Sequence, residues 1–413
     1  MTEFDPIREK ILWQILDEVR GKVDSRDFLR LVRRFRECSV ELTISELMYL
    51  YERTTDGSGT IAVPQLVAQF FQFLLEGRNL SILLDPFGGF GLLGTWLAHN
   101  LPDRHIDIVT TLADAQELIQ PLKNANLTVH IGTTKNVTET VTDEYDAIVS
   151  IPPINRSKER RSYEVAGTQV NLNDDPSLLA IADLASHLGP NGFFAFVVAP
   201  RFAWEKRPDS IRKNLDRFGL HLSALLKFRP GTFAGISLAL DLAIIDRKVR
   251  ETLFVAEIPE DAEAQKALVA RLLKRKQGPT PSQGRLVPQD QFHGLAALEA
   301  KERYYKLARV KGLDSVLFSI AVPQIQIPKR RDHNFEHCGD HPHAVYLPDM
   351  AATDATTHQD DLPPRLKSYL QLIVNPEVVL PEYLAGLLNT PMGHAFRHMV
   401  MTGETIPRIN RPL

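Results

Sequence analysis

Short runs that are apolar at nearly every position, rather than at every second one, recur through the middle of this chain. They are Ile82-Leu83-Leu84, Ile106-Asp107-Ile108-Val109, Ala147-Ile148-Val149, Phe193-Phe194-Ala195-Phe196-Val197-Val198 and Leu238-Ala239-Leu240-Asp241-Leu242-Ala243-Ile244-Ile245. A strand covered on one face alternates, whereas a strand buried on both faces reads this way, and such burial belongs to parallel sheets sandwiched by helices. Segments of helical pattern, such as Pro176 to Leu188, separate the runs. The expected fold class is therefore α/β, a mostly parallel sheet with helices on its two sides.

Around this centre the texture differs. From Ile7 to Tyr51 apolar residues recur at helical spacing (Ile11, Ile15, Val19; Phe28, Leu29, Val32; Leu47, Leu50, Tyr51), which predicts an N-terminal helical domain over residues 1–56. Asp24 is placed to cap the second helix. Thr43 and Glu46 have capping-box spacing for the third, with Leu42 and Leu47 as its hydrophobic staple. The turn cluster Thr54–Gly59 ends this domain. Residues 57–250 carry the strands. Residues 251–292 are polar and include Gly278-Pro279-Thr280-Pro281-Ser282-Gln283-Gly284, which reads as a linker with one helix at Ala262 to Lys276. Residues 293–413 read as a separate α+β unit. It has a helix near Leu295–Val310, alternation near Ser315–Ile327, a strand at Tyr369–Val374 and a helix near Pro381–Met399. A length of 413 residues suits two or three such domains.

Composition narrows the function classes. No apolar run approaches the roughly 18 residues of a membrane helix, and Met1-Thr2-Glu3-Phe4-Asp5 lacks the order of a secretory signal. The two cysteines, Cys38 and Cys338, form no disulfide framework, so a reducing cytoplasm is expected. With 48 basic and 51 acidic residues the net charge is −3. That argues against a surface coated with phosphate-binding charge, but nucleic-acid binding needs only a local basic groove.

Leu83-Leu84-Asp85-Pro86-Phe87-Gly88-Gly89-Phe90-Gly91-Leu92-Leu93 places a carboxylate at a strand end, glycines after it and a helix start beyond. Such a loop brings free N–H groups to a ligand at the strand's C-terminal end. A tight turn that needs glycine only for packing has the same pattern.

Asp85-Pro86-Phe87-Gly88-Gly89-Phe90-Gly91 resembles the loop that holds the methionine part of S-adenosylmethionine in N6-adenine DNA methyltransferases. Upstream, Gly59-Thr60-Ile61-Ala62-Val63-Pro64 resembles that family's segment ending in Thr-Pro, with Val63 where Thr is usual. Tyr145-Asp146-Ala147-Ile148-Val149-Ser150-Ile151-Pro152-Pro153-Ile154 lies where the family has its Asn-Pro-Pro-Phe or Tyr site. Leu188-Gly189-Pro190-Asn191-Gly192 resembles the entry to the next strand. Phe228-Arg229-Pro230-Gly231-Thr232-Phe233 with Leu238–Ile245 resembles the last hairpin of type I restriction modification subunits. The resemblance implies a Rossmann-like S-adenosylmethionine-dependent methyltransferase fold, with Pro64, Asp85, Pro86, Phe87, Gly89 and Gly91 at the cofactor. In the C-terminal unit, Leu380–Gly393 and Met401–Asn410 resemble a target-recognition domain of type I specificity subunits, which usually runs on past Leu413.

The resemblance also locates what is changed. Methyl transfer to adenine N6 takes the base out of the duplex and needs a carbonyl acceptor from Asn or Asp, then an aromatic ring after the two prolines. Here those degenerate positions are Ile151 and Ile154, around Pro152 and Pro153, and neither side chain accepts a hydrogen bond. Asn155, four positions beyond Ile151, has no geometry to substitute. The ribose acid expected after the second strand is replaced by Thr110-Thr111, with Asp114 out of register, and the later Gly-Asp appears as Gly132-Thr133. The expectation is a methyltransferase fold impaired in catalysis, its S-adenosylmethionine binding weakened. The alternatives are a working adenine-N6 methyltransferase with a rebuilt site, and a scaffold that holds a partner through its N-terminal helices.

The remaining function would be DNA recognition with other restriction-modification or phage-defence subunits. Arg156, Lys158, Arg160 and Arg161 follow the Pro-Pro loop. Arg201, Lys206 and Arg207 follow the Phe193–Val198 run, and Lys329, Arg330 and Arg331 lie in the C-terminal unit. Each could position a phosphate of double-stranded DNA. Any single cluster also reads as a solvated loop, and Glu159 and Glu205 dilute two of them. His333, His337, Cys338, His341 and His343 crowd one loop, but their spacing matches no zinc-finger pattern, so no metal is expected. Phe87 and Phe90 are expected to pack rather than to shield an adenosine.

Overall fold

The computed structural model describes residues 10, 13–14, 28, 32–33, 35–36, 41–54, 61–122, 125–133, 144–154, 157–205, 207–311, 318–331, 334–336, 338–348, 353–362, 369–399, 401–402 and 408–409. Asp24 and the first predicted helix around Ile11, Ile15 and Val19 lie outside them. The chain divides into two units. One holds residues 1–279 and 283–289, the other 280–282 and 290–413.

The first unit is built on a nine-stranded sheet. In chain order its strands are β1 Ile82–Asp85, β2 His105–Thr110, β3 Leu127–Ile131 and β4 Tyr145–Ser150. After a separate hairpin, β5 Glu159–Val165 and β6 Thr168–Asp174, come β7 Leu188–Val198, β8 His221–Lys227, β9 Asp241–Asp246, β10 Thr252–Glu257 and β11 Arg285–Pro288. The order across the sheet is β11-β10-β8-β9-β7-β4-β1-β2-β3. β3, β2, β1, β4 and β7 are parallel neighbours. β9 is inserted antiparallel between β7 and β8, and β11 is an antiparallel edge. The chain runs outward from β1 to β3 and returns to β4 on the other side of β1. That return makes a topological switch point, where a crevice opens at the strand ends.

The apolar runs are strands for the reason the sequence suggests. Leu83, Ile106, Ile108, Ala147, Val149 and Phe193 are buried on one face, and Leu84, Val109, Ile148 and Phe194 are buried as well. On the first face sit α1 Ile44–Thr54, α2 Gln65–Glu76 and α3 Leu92–Asn100, followed along the chain by α4 Ala113–Ile119. α2 buries Val67, Phe70, Phe71, Leu74 and Leu75, each worth roughly 1.5–3 kcal/mol of transfer from water. α1 starts with the predicted capping box. Thr43 N–H donates to Glu46 Oε2 at 2.7 Å, and Glu46 N–H donates back to Thr43 Oγ1 at 3.3 Å. Next come α5 Pro176–Asp183, capped by Asp175, and α6 Ala262–Leu273, capped by Asp261.

Two expected boundaries change. Phe28, Val32, Phe35 and Leu47 share one apolar core with the sheet, so the N-terminal helices do not form a domain of their own. Residues 251–292 are not a linker. They contain the expected helix, α6, but also β10 and β11 of the main sheet. Leu253, Phe254, Val255 and Ala256 are all buried, and the polar residues that suggested a linker belong to α6 and to the turns around it.

The second unit contains α7 Leu295–Lys311, β12 Gln324–Gln326, β13 Lys329–Arg331, β14 Asn334–Glu336, β15 Ala344–Pro348, β16 Tyr369–Ile373, α8 Pro381–Leu388 and α9 Pro391–Met399. β16 lies between β12 and β15, antiparallel to both. The single helix expected at Pro381–Met399 is two. Pro391 disfavours helical geometry at Thr390, and the Asn389 side chain is turned away to clamp the Ala355 peptide, at 2.7 Å to its N–H and 2.9 Å to its carbonyl.

Gly91 stands where α3 begins, at φ +76°. A Cβ there would lie 1.9 Å from Ile119 Cδ1. Gly91→Ala is therefore expected to lower the unfolding free energy by about 2–4 kcal/mol, read by urea denaturation. A loss under about 1 kcal/mol would mean that α3 shifts freely off Ile119.

Candidate functional site

At the switch point a cavity of about 330 Å³ opens at the C-terminal ends of β1, β2 and β4. The glycine loop forms one wall. Gly88 N–H donates to Val109 O at 2.9 Å and Gly91 N–H to Gly88 O at 2.5 Å, while Gly89 takes φ +52° with open space where a Cβ would stand. Thr110, at the end of β2, ties the loop down: its hydroxyl donates to Gly89 O at 2.5 Å and accepts from Leu112 N–H at 3.1 Å. Tyr51, Ile61, Val63, Phe90 and Leu112 supply apolar walls, and Ile151 and Pro153 close the side next to β4.

Asp85 is the one charged residue lining this cavity among the described residues. It is 1% exposed. Its Oδ1 accepts from Ser150 Oγ at 2.6 Å and from Phe87 N–H at 3.2 Å. Burial pushes its pKa up to about 6 against those two hydrogen bonds, which pull it down. The cavity thus holds an acid whose charge is poorly solvated, and a cationic group entering beside it would relieve that cost.

The predicted cofactor residues divide. Asp85, Pro86, Phe87 and Gly89 line the cavity. Pro64 does not: it is buried as the N-cap of α2, its carbonyl accepting from Val67 and Ala68, and its neighbour Val63 faces the cavity instead. Gly91 shapes the turn behind the lining. Phe90 meets Phe28 at a tilt and Tyr51 edge-on, ring centroids 5.2 Å from each, and also lines the cavity. Phe87 meets Phe196 edge-on at 6.3 Å. Thr111 and Thr133 line the cavity at positions where the resemblance implies carboxylates, and the Asp114 side chain lies outside the described residues. Ser150 and Thr110, which hold the acid and the loop, carried no signal beyond their place at strand ends.

Of the four positions that the sequence likened to a catalytic motif, Ile151 and Pro153 reach the cavity. Pro152 and Ile154 line a separate small cleft. Ser177 Oγ lies 2.6 Å from the Pro153 carbonyl and fixes the loop to the start of α5.

Of the basic residues after the loop, Arg160 and Arg161 stand on the β5–β6 hairpin, absent from the sequence expectations, and Lys158 just precedes it. Seven residue pairs and a turn at Ala166-Gly167, both at positive φ, make it a regular ribbon. Strand alternation sorts its cations. Arg161 points inward and is bound by Glu159 at 2.9 Å and by Asp183, which Tyr163 Oη also reaches at 2.8 Å. Hydrogen bonding to Glu159, then the charge of Asp183, holds its guanidinium firmly protonated. Arg161 therefore serves the fold and is not a free phosphate ligand. Lys158 and Arg160 are exposed and form no ion pair among the described residues. Arg207 is held by Asp174, Glu205 and Asp209 at 3.1–3.4 Å, and Arg201 lies 3.7 Å from Asp175. Arg156 and Lys206 lie outside the described residues.

In the second unit Lys329, Arg330 and Arg331 form β13, paired with β14, and their side chains lie outside the described residues. So do His333 and His337. His341 and His343 are exposed, and Cys338 is partly buried with its N–H donating to Tyr369 Oη at 3.1 Å. Among the described residues no group of three or more His, Cys, Asp or Glu is arranged to hold a metal.

Residues 68–199 match the family model of the methyltransferase small domain. No curated protein matches the chain. Among solved structures, it is similar to the type I restriction-modification system methyltransferase subunit from Streptococcus thermophilus at 13% identity, over 70% of this chain and 82% of that one, with a TM-score of 0.46. The M protein of the type I restriction enzyme EcoKI is 12% identical over 60% of this chain and 70% of that one, with a TM-score of 0.36. M. jannaschii TYW2 in complex with AdoMet is 13% identical over 46% of this chain and 80% of that one, with a TM-score of 0.31. The matched domain and the sheet order agree: the first unit has the Rossmann-like fold of S-adenosylmethionine-dependent methyltransferases.

Asp85 makes stability depend on pH. Its folded-state pKa stands above the ordinary 3.8. The stability from its protonation is therefore complete below about pH 4 and is lost as pH rises through about 6. Asp85→Asn keeps the acceptor for Ser150 and Phe87. It should flatten the stability profile between pH 4 and 6 and gain about 3 kcal/mol at neutral pH, measured by urea denaturation across pH. A variant less stable than the parent at pH 7 would refute this.

Proposed function

We propose that this chain is a DNA-binding protein of the N6-adenine DNA methyltransferase type, impaired in methyl transfer, that acts in recognition within a bacterial restriction-modification or phage-defence system. The observation that carries the reading is Ile151. It lines the cavity at the end of β4, next to the serine that holds Asp85. At that wall, transfer to an amino nitrogen calls for a hydrogen-bond acceptor, and an isoleucine side chain supplies none. Ile154, where a base would stack, has no π face.

The cavity suits S-adenosylmethionine in part. Asp85 would face its cationic end, the glycine loop would approach the methionine portion, and Ile61, Val63 and Leu112 would wall the adenine. When bound, that group would supply an electrophilic methyl. What this chain's own residues offer the ribose is hydroxyl rather than carboxylate, at Thr111 and Thr133, so the expected binding is weak. The double-stranded DNA partner is supported by Lys158 and Arg160, exposed just before and at the start of the ribbon that follows the Pro-Pro loop. Companion subunits complete the proposal, and no helix among the described residues is long and apolar enough to cross a membrane.

The alternative is an active adenine-N6 methyltransferase, favoured by the intact glycine loop and the retained cavity. Titration calorimetry with S-adenosylmethionine, followed by a tritium-methyl transfer assay on mixed-sequence duplex DNA, separates the two. The reading expects duplex binding without transferred label; stoichiometric labelling of adenine would return the alternative to the front. Lys158→Glu with Arg160→Glu should weaken duplex binding and reduce the slope of log K against log salt by about 2. An unchanged slope would remove the hairpin from the interface.

A further inference from the structure

The end of the main sheet opposite the crevice is basic. There β9 finishes at Asp246 beside the start of β8 at His221, and β10 starts on the other side of β8. Neighbouring strands lie about 4.8 Å apart, so the turns at these three strand ends crowd together. Arginines pin them. Arg247 donates to the carbonyls of Ala185 at 2.7 Å and Leu188 at 2.9 Å, with Gly219 beside it: a Cβ there would lie 3.5 Å from Arg247 Nη1. Arg250 is bound by Asp246. Arg275, at φ +49° just past α6, donates to Thr252 O at 2.6 Å and to Ser223 O at 3.3 Å, which ties the end of the helix to β10 and β8. Burial, then the charge of Arg250, pulls the Arg275 guanidinium below its ordinary value, as cations held close together do. Between these anchors Arg217, Lys248, Lys274 and Lys276 are exposed, and their side chains form no ion pair or hydrogen bond among the described residues. The exposed carboxylates on the same turns are Asp216 and Glu251.

We propose that this surface binds the phosphate backbone of duplex DNA without reading its sequence, as a second contact at the far end of the sheet. The inference rests on the nucleic-acid reading above and extends it to a face that the crevice does not include. Two observations favour phosphate over an acidic protein. A protein interface has an apolar centre, and Val249, 80% exposed between Lys248 and Arg250, is the one large apolar side chain exposed on these turns; unpaired Lys and Arg are what backbone phosphates take. The surface also continues toward the hairpin. Phe218, next to Arg217, meets Tyr163 edge-on at 5.4 Å, so Arg217 adjoins the ribbon that carries Arg160. A six-residue strand such as β9 spans about 20 Å, the rise of about six base pairs, and one duplex can touch both ends of the sheet.

The test is the salt dependence of binding to a long mixed-sequence duplex, by fluorescence anisotropy. The slope of log K against log salt counts the counterions that contacts release, so it registers phosphates engaged rather than general charge. Lys248→Gln, Lys274→Gln and Lys276→Gln together should lower that slope by about 2.7, roughly 0.9 for each charge, and add to the loss from the hairpin variant. The triple variant should unfold in urea at the midpoint of the parent, since the three side chains hold nothing in the fold. An unchanged slope in the triple variant, with the hairpin variant still lowering it, overturns the inference and leaves these turns to an acidic protein or to solvent, while the nucleic-acid reading stands. Absence of duplex binding by the parent overturns that reading, and this inference with it.

Discussion

The close approach of the glycine loop and α3 to Ile108 organises the first unit. A Cβ at Gly88 would sit 2.1 Å from Ile108 Cγ2, and one at Gly94 would sit 2.4 Å from Ile108 Cγ1. Only hydrogen at these two positions lets the loop cross β2 at this height. From that contact follow the bond of Gly88 to Val109, the seat of Thr110 under Gly89 and the direction of α3 away from the strand ends. The same contact sets the depth of the cavity, because the loop that forms its wall can rise no higher than its glycines allow.

Electrostatics in this unit is largely inward-looking. Asp85 is charged at a cost that its two hydrogen bonds only partly offset. Asp146 Oδ2 accepts from Ser81 N–H at 2.6 Å and from Ile82 N–H at 3.1 Å, which fixes the start of β1 against β4. Arg161, Arg207 and Arg250 are each taken by carboxylates of the same fold. Far from the strands, Arg33 grips Glu117 at 2.7 Å and Arg36 reaches the Leu118 carbonyl at 3.1 Å, joining the N-terminal helices to α4.

The fold class was legible because burial on both faces leaves runs with no alternation, and β1, β2, β4, β7 and β9 all read that way. The glycine loop was legible because few other patterns place a carboxylate and three close glycines at a strand end. The β5–β6 hairpin was not, since its outward residues are polar and its inward set of Arg161, Tyr163, Val170 and Leu172 mixes charge with apolar side chains. β10 was lost for the opposite reason: a short apolar run lay beside a long polar turn and took its character. Pro64 illustrates a limit of position reading. As the N-cap of α2 it turns its carbonyl into the helix and leaves the preceding Val63 to face the cavity. The commitment of Arg161 was invisible because Asp183, its partner, lies 22 residues away and meets it only after folding.

The strand alternation of the hairpin has an evolutionary consequence. Arg161, Tyr163, Val170 and Leu172 hold the ribbon to its unit, while Arg160, Ser162, Gln169 and Asn171 face outward, Ser162 directly opposite Asn171. Substitutions in the outward set leave the inward anchoring untouched, so that face can drift through many side-chain combinations at nearly constant stability. Insertion of a single residue has the opposite effect. It exchanges the two sets, so this ribbon can diversify by replacement but not by change of length.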